Sequence, residues 1–522
     1  MKEENKDNRN KKIYIILGTF VIVLVTFVFF LLLNYLFEDD DGFENEETKP
    51  EIVIPSSPDE KASPYRMSSN SLEEFDLSFL KLENKLVNKV YSPLSIKYAL
   101  QMLSEGASGK SKTQIDNIIG SYKYNKYTNS KNMSFANGIF VRDDYKKFVK
   151  DDYINTLKNK YDADVLYDSF NTPDKVNSWV SDKTFNLVDK LFDDISRLDF
   201  VLVNALAIDM EWKQMIQATN ETYYDEFFVS YDHESFGMYI PVLMGDNYES
   251  IDFNSGKDNA LVVEIGAAIN KYDIIEELGE ENIRRIVGEA YQQWSMEGNC
   301  GGGLPVDTFL DSYIKALDSN YGRLDVSTDF LFYVDDKTKV FAKDLKEYNG
   351  TNLQYVGIMP INEELNTYIE NVSAKDISTL INNLKDVKLT NFKDGVVTKI
   401  TGYIPLFKFD YELDFMNDLK KLGIVDVFDD ENANLSSMVK KFAYISAAAH
   451  KANIEFSNEG VKAAAVTGFG GMGNAACEFE YNFDVPVEEI DLTFDNPYLF
   501  LIRDKNTGEV WFTGTVYEPI SK

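Results

Sequence analysis

The chain has few of the side chains that most catalytic and metal sites need. Its 522 residues include only two cysteines, Cys300 and Cys477, and two histidines, His233 and His450. Zinc sites built from Cys and His clusters are almost excluded by these counts, and no cofactor is expected. A Ser-His-Asp catalyst would depend on one of just two histidines, so a hydrolase is poorly supported. The sparse cysteines favour free thiols, with a single bridge between Cys300 and Cys477 as the other possibility.

Positive charge is also scarce. Lys and Arg number 53 against 86 Asp and Glu, which gives a formal net charge of −33. Nucleic acids and heparin-type polyanions are bound by pairing Lys and Arg with anionic groups. No basic cluster occurs outside the first dozen residues, so neither kind of partner is expected. Hydrophobic residues make up 44% of the chain, which is enough for a sizeable core.

An uncharged run of 25 residues, 13–37, lies near the N-terminus. At about 1.5 Å per residue, a helix of this length spans the ~30 Å hydrocarbon core of a bilayer. A cleaved signal peptide has a shorter apolar part, so we predict an uncleaved transmembrane signal anchor. Residues 1–12 carry five Lys and Arg, which predicts a cytoplasmic tail and an extracellular C-terminal bulk. The acidic segment 38–70 is expected to be a flexible stalk.

Helical patterns begin at Ser71, where a folded domain over 71–522 is expected. Apolar residues from Phe75 to Leu86 recur at helical spacing and predict a first helix. Ser92-Pro93 predicts the start of a second helix, because Ser is a favoured cap and Pro suits the first helical position. That helix is expected to stop at Gly106.

Strand patterns follow later in the chain. The runs 135–141 and 201–208 predict strands, and the second run is mostly apolar, as in a strand buried on both faces. Residues 498–502 and 510–515 predict a closing hairpin around a turn-forming segment. Mixed helices and strands of this kind predict an α+β fold.

Four groups of residues, in order along the chain, resemble signature segments of the serpin family. They are 88–96 with 106–113, 177–180 with 202–205 and Trp212, 450–455 with 458–467, and 494–504 with 514–516. The resemblance implies the serpin fold, with a large central mixed β-sheet, two further sheets, about eight or nine helices and an exposed reactive loop at about 460–486. It implies a suicide-type inhibitor, not an enzyme. A serine or cysteine protease would cut the loop, form a covalent acyl-enzyme and be trapped as the loop inserts into the sheet. A monomer is expected.

Two segments depart from the family pattern. Residues of about 246–328 match little of it and are interpreted as an insertion, which includes the glycine-rich run 298–303. The stretch between Gly460 and Pro497 is longer than the usual loop. The sequence indicates no function for the insertion.

The resemblance also assigns the hinge at which the loop enters the sheet. An inserting strand turns alternate side chains toward the core, so every second residue must be small or apolar. Val461 and the three residues that alternate with it meet this condition, Lys462 would point outward, and Phe469 is a bulky exception. The hinge residues are Glu459, Gly460, Val461, Ala463, Ala464, Ala465 and Thr467.

The cleaved bond is expected between Asn474 and Ala475, by the family's usual count from Gly460. Rival positions are Met472, Cys477 and Phe479. No Arg or Lys lies between residues 466 and 486, which disfavours trypsin-like targets.

The resemblance further implies conformational control by Ser92, Asn204, Trp212 and His450. The first two and His450 are expected in a hydrogen-bonded cluster under the zone where the sheet opens, because polar partners must be exchanged rather than lost when strands separate. Trp212 is expected near the top of that opening. None of them is expected to be catalytic.

The sequence leaves three alternatives to a protease inhibitor open. Residues 468–473 match the dinucleotide-binding pattern G-x-G-x-x-G, but no helical pattern follows them before Pro486, which makes an oxidoreductase a weak reading. The serious alternative is a non-inhibitory serpin that acts as a surface binding or scaffold protein, which Phe469 and the long loop favour slightly. A surface adhesin that uses the insertion is the third class.

Overall fold

The described part of the chain comes from a computed structural model. It comprises residues 63–214, 216, 227–231, 236–238, 250–254, 258–297, 304–320, 324–325, 330–458, 460–461 and 479–521. All of them belong to one compact unit, Ile54–Lys522. The predicted tail, the membrane span and most of the stalk lie outside the described residues. Within the described ranges, no helix combines the length and the apolar character needed to cross a bilayer.

The described residues contain 11 α-helices. Eight of them lie outside the predicted insertion, in line with the expected eight or nine, and three (α6 to α8) lie inside it. Their bounds are α1 Glu74–Leu82, α2 Pro93–Gly106, α3 Gly109–Ile119, α4 Asp151–Tyr161, α5 Asp174–Lys183, α6 Ile274–Leu278, α7 Glu280–Met296, α8 Val306–Asn320, α9 Leu365–Asn371, α10 Ala374–Asn382 and α11 Phe415–Lys421.

The described strands form six hydrogen-bonded groups. Their bounds are β1 Lys89–Tyr91, β2 Met133–Arg142, β3 Asp164–Asp168, β4 Phe200–Ile208, β5 Met210–Glu211, β6 Phe227–Tyr231, β7 Phe236–Met238, β8 Ser250–Phe253, β9 Asp258–Asn270, β10 Leu324–Asp325, β11 Leu331–Val334, β12 Thr338–Asp344, β13 Leu353–Pro360, β14 Lys385–Asp386, β15 Val397–Pro405, β16 Phe407–Glu412, β17 Lys451–Phe456, β18 Gly460–Val461, β19 Phe479–Phe483, β20 Val487–Asp491, β21 Tyr498–Asp504 and β22 Val510–Val516.

The largest sheet has seven strands in the order β1-β22-β21-β13-β12-β11-β14. Each of its described pairings is antiparallel. Parallel pairs occur in two other groups, between β2 and β3 in the group β3-β2-β4 and between β15 and β20 in the group β10-β9-β15-β20.

Helix α2 begins and ends where its sequence predicts. The Ser92 hydroxyl accepts a hydrogen bond from the Ser95 N–H at 3.1 Å, and Pro93 is the first helical residue. Helix α1, by contrast, ends before the predicted Leu86, which is 62% exposed. A tertiary contact accounts for this end: the Glu83 carboxylate accepts a hydrogen bond from the Asp414 N–H at 2.7 Å, which holds the chain at the position where the helix stops.

The core between the seven-stranded sheet and the β16–β17 pair is filled by aromatic rings. Tyr355 and Phe500 stack with their centroids 6.0 Å apart. Phe456 of β17 lies 4.9 Å from Tyr355, and Phe407 of β16 lies 5.5 Å from Phe500. These contacts fix one face of β17 against the large sheet and so position the edge of β17 described below.

Candidate functional site

Strands β4 and β17 border a slot. Within the described residues, β4 pairs only with β2 and β17 only with β16, so the backbone along the two slot edges has no described strand partner. A cavity of about 230 Å³ lies in the slot and is lined by residues 199–206 on one side and 442–452 on the other. A second cavity, of about 20 Å³, continues it along 206–208 and 452–455. The slot therefore follows most of β4.

The first turn of α2 contacts both sides of this slot. The Ser92 N–H donates a hydrogen bond to His450 Nε2 at 3.0 Å, and His450 is the residue immediately before β17. The Ser95 hydroxyl donates to Asn204 Oδ1, and Asn204 lies in β4. Ser92 and Ser95 are themselves joined by the cap of α2. One helix end thus connects the two strands that do not pair with each other.

Asn204 is held from its other side as well. Its side-chain amide donates to Asn137 Oδ1 at 2.8 Å, and these two residues are direct partners in the β2–β4 ladder. The Asn137 amide in turn donates to the Tyr161 carbonyl at 2.8 Å. The sequence predicted the cluster of Ser92, Asn204 and His450 but missed Ser95 and Asn137. A polar residue inside an apolar strand was the available signal for Asn137.

His450 accepts its hydrogen bond as a neutral imidazole. The residue is only 9% exposed, and burial lowers the pKa of its ring from 6.5 to about 4. At neutral pH, Nε2 therefore carries a lone pair that can accept the Ser92 N–H. Protonation would place a second donor opposite that N–H and would break the contact.

Trp212 lies where β17 ends. Its indole is fully buried, and its Nε1–H donates to the Ser457 carbonyl at 2.9 Å. The ring packs edge-on against Phe456 and Tyr355, with centroid distances of 5.4 and 6.1 Å. It thus ties the end of β17 to the residue that opens the next turn.

After this turn the chain runs back beside β5. The Ser457 N–H donates to the Gly460 carbonyl at 3.0 Å, and Gly460 and Val461 pair antiparallel with Glu211 and Met210. A Cβ on residue 460 would lie 2.4 Å from the Met210 carbonyl oxygen. Only glycine fits there, so the first hinge residues are packed closely against the strand segment that follows β4.

Residues 462–478 of the predicted loop lie outside the described residues. Phe479, a rival for the cleaved bond, is in β19 and only 3% exposed, so a protease could not reach its backbone there. Among the described residues, no group of three or more His, Cys, Asp and Glu is arranged to hold a metal ion. The predicted residues outside the described ranges are Glu459, Ala463, Ala464, Ala465, Thr467, Asn474 and Ala475, together with Cys300, Cys477 and His233.

The chain matches the family described as Serpin (serine protease inhibitor) over residues 71–238 and 327–519. These residues are more than half of the chain. This chain belongs to the serpin family. Serpins are typically protease inhibitors rather than enzymes. Residues 239–326, between the matched parts, are not covered by the family match and are called the intervening segment below; they overlap the predicted insertion.

Individual relatives support the same family. Human neuroserpin is 23% identical over 463 residues, which cover 83% of this chain and 86% of that protein. Rat serpin B10 is 35% identical over 118 residues, which cover 22% of this chain and 27% of the relative.

Solved structures show the same fold. The native thermophilic serpin tengpin superimposes with a TM-score of 0.54 at 19% identity, over 87% of this chain and 97% of that one. Uncleaved ovalbumin gives a TM-score of 0.54 at 16% identity, over 87% and 100%. At these identities the likeness concerns the fold alone.

Proposed function

We propose that this serpin is a suicide-type inhibitor of a serine or cysteine protease, and that its reactive loop inserts between β4 and β17 once the protease has cut it. The observation that carries the proposal is the slot between these strands, together with the pairing of the two described hinge residues, Gly460 and Val461, to β5, which follows β4. A strand that enters the slot finds two strand edges, a lining of apolar and polar side chains and an antiparallel start at β5.

The register of the hinge supports insertion along β4. Gly460 and Val461 lie opposite Glu211 and Met210. If the same antiparallel register continues, Thr467 comes opposite Asn204 and residue 471 comes opposite Phe200, the first residue of β4. The proposed bond between Asn474 and Ala475 then follows within a few residues of the far end of the slot, so the segment before the bond has the length that β4 can accept.

Insertion is favourable because it completes hydrogen bonds and buries apolar surface. Each added backbone hydrogen bond is worth about 0.5–1.5 kcal/mol net, and apolar surface contributes about 25 cal/mol per Å². Before cleavage both ends of the loop are held, because β18 pairs with β5 and β19 pairs with β6. Cutting the loop frees the N-terminal part to move, so the gain becomes available only after the protease has acted.

A panel of serine and cysteine proteases tests the proposal. We expect at least one of them to form a complex with the extracellular part that survives detergent and heat. Mass spectrometry should show that the released C-terminal fragment begins at Ala475. Cleavage between residues 466 and 486 that traps no enzyme and leaves heat resistance unchanged would contradict the mechanism. That outcome would favour the alternative, a non-inhibitory serpin that acts as a surface binding or scaffold protein.

Two hinge variants give a matched pair. Ala465→Glu places a charge at a position that the strand period turns toward the core, whereas Ala464→Glu places it on the opposite face. Burial of an unpaired carboxylate opposes insertion strongly. We expect Ala465→Glu to be cut as a plain substrate, while Ala464→Glu keeps most of the complex formation. Equal behaviour of the two variants would argue against insertion as a strand.

For location, we propose that residues 13–37 anchor the protein with the serpin domain outside the cell. The support is the uncharged length of this run and its cationic N-terminal flank. Protease added to intact cells should then release the domain from the membrane fraction. Recovery of the full chain in the wash without detergent would count against an anchor.

A further inference from the structure

The C-terminal part of the predicted reactive loop, from Phe479 onward, lies in an aromatic cluster that belongs mainly to the intervening segment. Phe479, the first residue of β19, has its ring 5.2 Å from Tyr291, 5.8 Å from Trp294 and 5.4 Å from Phe309. Tyr291 and Phe309 stack on each other with centroids 3.8 Å apart. Phe479 is 3% exposed, and both stacked rings are fully buried. The end of the loop is therefore enclosed by side chains of α7 and α8.

Helices α7 and α8, which carry these rings, pack closely against each other. A Cβ on Gly288 of α7 would lie 3.1 Å from Leu310 Cδ1 of α8, which shows how closely the helices cross. The Tyr291 hydroxyl donates to the Leu304 carbonyl at 3.2 Å, and Arg284 pairs with Asp311 at 2.9 Å. We call α7 and α8 the helix pair. These contacts within the helix pair position Tyr291 and Phe309 in addition to their contacts with Phe479.

Further residues after Phe479 join the same cluster. Phe483 and Val485 are 3% and 8% exposed and pack into it with Tyr313. Strand β20, which comes next, is mostly exposed, with Val487 at 37%. The burial is thus concentrated at 479–485, the first described residues after the proposed scissile bond. Pairing of β19 with β6 adds backbone hydrogen bonds to the same segment.

The position of Phe479 matters for the proposed cleavage site. Ala475 is only four residues before Phe479, so the bond lies within about 13–17 Å of a buried anchor, at ~3.3 Å per extended residue. An anchored segment has already lost much of the conformational freedom that a protease would otherwise have to remove on binding. The anchor should therefore raise the rate at which a protease captures the loop.

We propose that the helix pair anchors the C-terminal end of the reactive loop, with Phe479 as the positioning residue that presents the scissile segment to the protease. The predicted effect of this anchor on protease capture rests on the proposed inhibitory function. The hinge lies at the opposite end of the loop, beside β5. The anchor therefore affects capture and leaves the later choice between trapping and release to the hinge.

The test compares Tyr291→Ala with Gln292→Ala, a control at the adjacent, exposed position of the same helix. Amide hydrogen exchange measured by mass spectrometry should become faster at 479–485 in Tyr291→Ala and stay at the wild-type rate in Gln292→Ala. The second-order rate of complex formation should fall roughly tenfold in Tyr291→Ala. The number of inhibitor molecules consumed per trapped protease should not change.

Tyr291→Phe separates positioning from a loss of folding, because it keeps the ring and removes only the hydroxyl. We expect it to restore the wild-type exchange and capture rates. Phe479→Leu, which keeps an apolar side chain, should give an intermediate rate. Tyr291→Ala with wild-type exchange and capture rates would overturn the anchor.

A changed ratio of inhibitor consumed per trapped protease, with an unchanged capture rate, would also overturn the anchor. If the wild-type chain traps no protease, the inhibitory function fails. Hydrogen exchange alone then decides the anchor, since faster exchange in Tyr291→Ala supports it and equal exchange refutes it.

Discussion

The seven-stranded sheet and the slot beside β4 use their backbone in opposite ways. In the large sheet, β13 pairs with β12 on one side and with β21 on the other, and aromatic rings fill the space above it. Along the slot, β4 and β17 each have one described strand partner, and the side chains that connect them are polar and few. The comparison shows two strand edges that border an open slot, whereas the inner strands of the seven-stranded sheet are paired on both sides.

The polar contacts at the slot suit an interface that opens. Hydrogen bonds of Ser92, Ser95 and Asn137 can be exchanged with new partners, whereas a packed ring that leaves its site loses its contacts outright. We therefore propose the first turn of α2 as the point that controls opening of the slot. The following predictions test this contrast between a fixed sheet and an adjustable slot.

The largest effect is expected in the fixed sheet. Phe500→Ala removes a fully buried ring that contacts Tyr355 and Phe407, and we expect the free energy of unfolding to fall by about 3–5 kcal/mol. Phe442→Ala is the matched control, because Phe442 borders the slot but is 55% exposed. It should change stability by less than about 0.5 kcal/mol. Urea denaturation measures the free energy of unfolding of both variants. Similar losses of stability in the two would contradict the contrast between the fixed sheet and the slot.

The next effect depends on pH at His450. The ring has a folded-state pKa of about 4 against an ordinary 6.5, so the unfolded chain binds a proton between these values and the folded chain does not. The contribution of His450 is fully present above pH 6.5 and is lost as pH falls toward 4. The loss is on the order of 3 kcal/mol.

A variant without a titrating ring isolates this contribution. His450→Gln keeps an acceptor for the Ser92 N–H and should show a smaller loss of stability than the wild type between pH 7 and pH 4.5. Unfolding midpoints in urea at several pH values give the pH dependence of stability for each protein. The difference between the two proteins isolates His450, because the other titrating groups contribute equally to both. Parallel curves for the two proteins would show that His450 is not buried as a neutral ring.

The smallest effect is expected in the asparagine pair. Asn137→Ala leaves the Asn204 amide without its described partner and should cost about 1–3 kcal/mol. The double variant Asn137→Ala/Asn204→Ala should cost less than the sum of the two single changes, because the second change removes a group that the first has left unpaired. Denaturation of all four proteins gives the coupling. Strictly additive costs would mean that the pair does not act as a unit.

Much of the local structure could be predicted from sequence. The cap at Ser92, the strands around 135–141 and 201–208 and the C-terminal hairpin all lie where short-range patterns put them. These features depend on residues within one turn or one strand, so the chain nearby determines them. The end of α1 was predicted too late, because the contact of Glu83 with Asp414 comes from a distant part of the chain.

The site was predicted less completely than the fold. His450 lines the slot, Trp212 lies where β17 ends, and residue 460 must be glycine because a Cβ there would contact the Met210 carbonyl oxygen. Their partners were missed, since Ser95 and Asn137 acquire a role only through cross-strand and helix-to-strand contacts. The helix pair around Phe479 had no counterpart in the sequence argument, and Phe479 itself was considered as a cleavage position.

The sequence by itself determined where helices and strands begin, that residues 13–37 are long and apolar enough for a membrane span, and that alternate hinge residues are small. These properties follow from side-chain chemistry over a few neighbouring positions. Only the tertiary structure decided that Ser92 meets His450 across 358 positions of the chain, and that β4 and β17 border an open slot. Contacts at such separations depend on how whole elements pack, which no local pattern encodes.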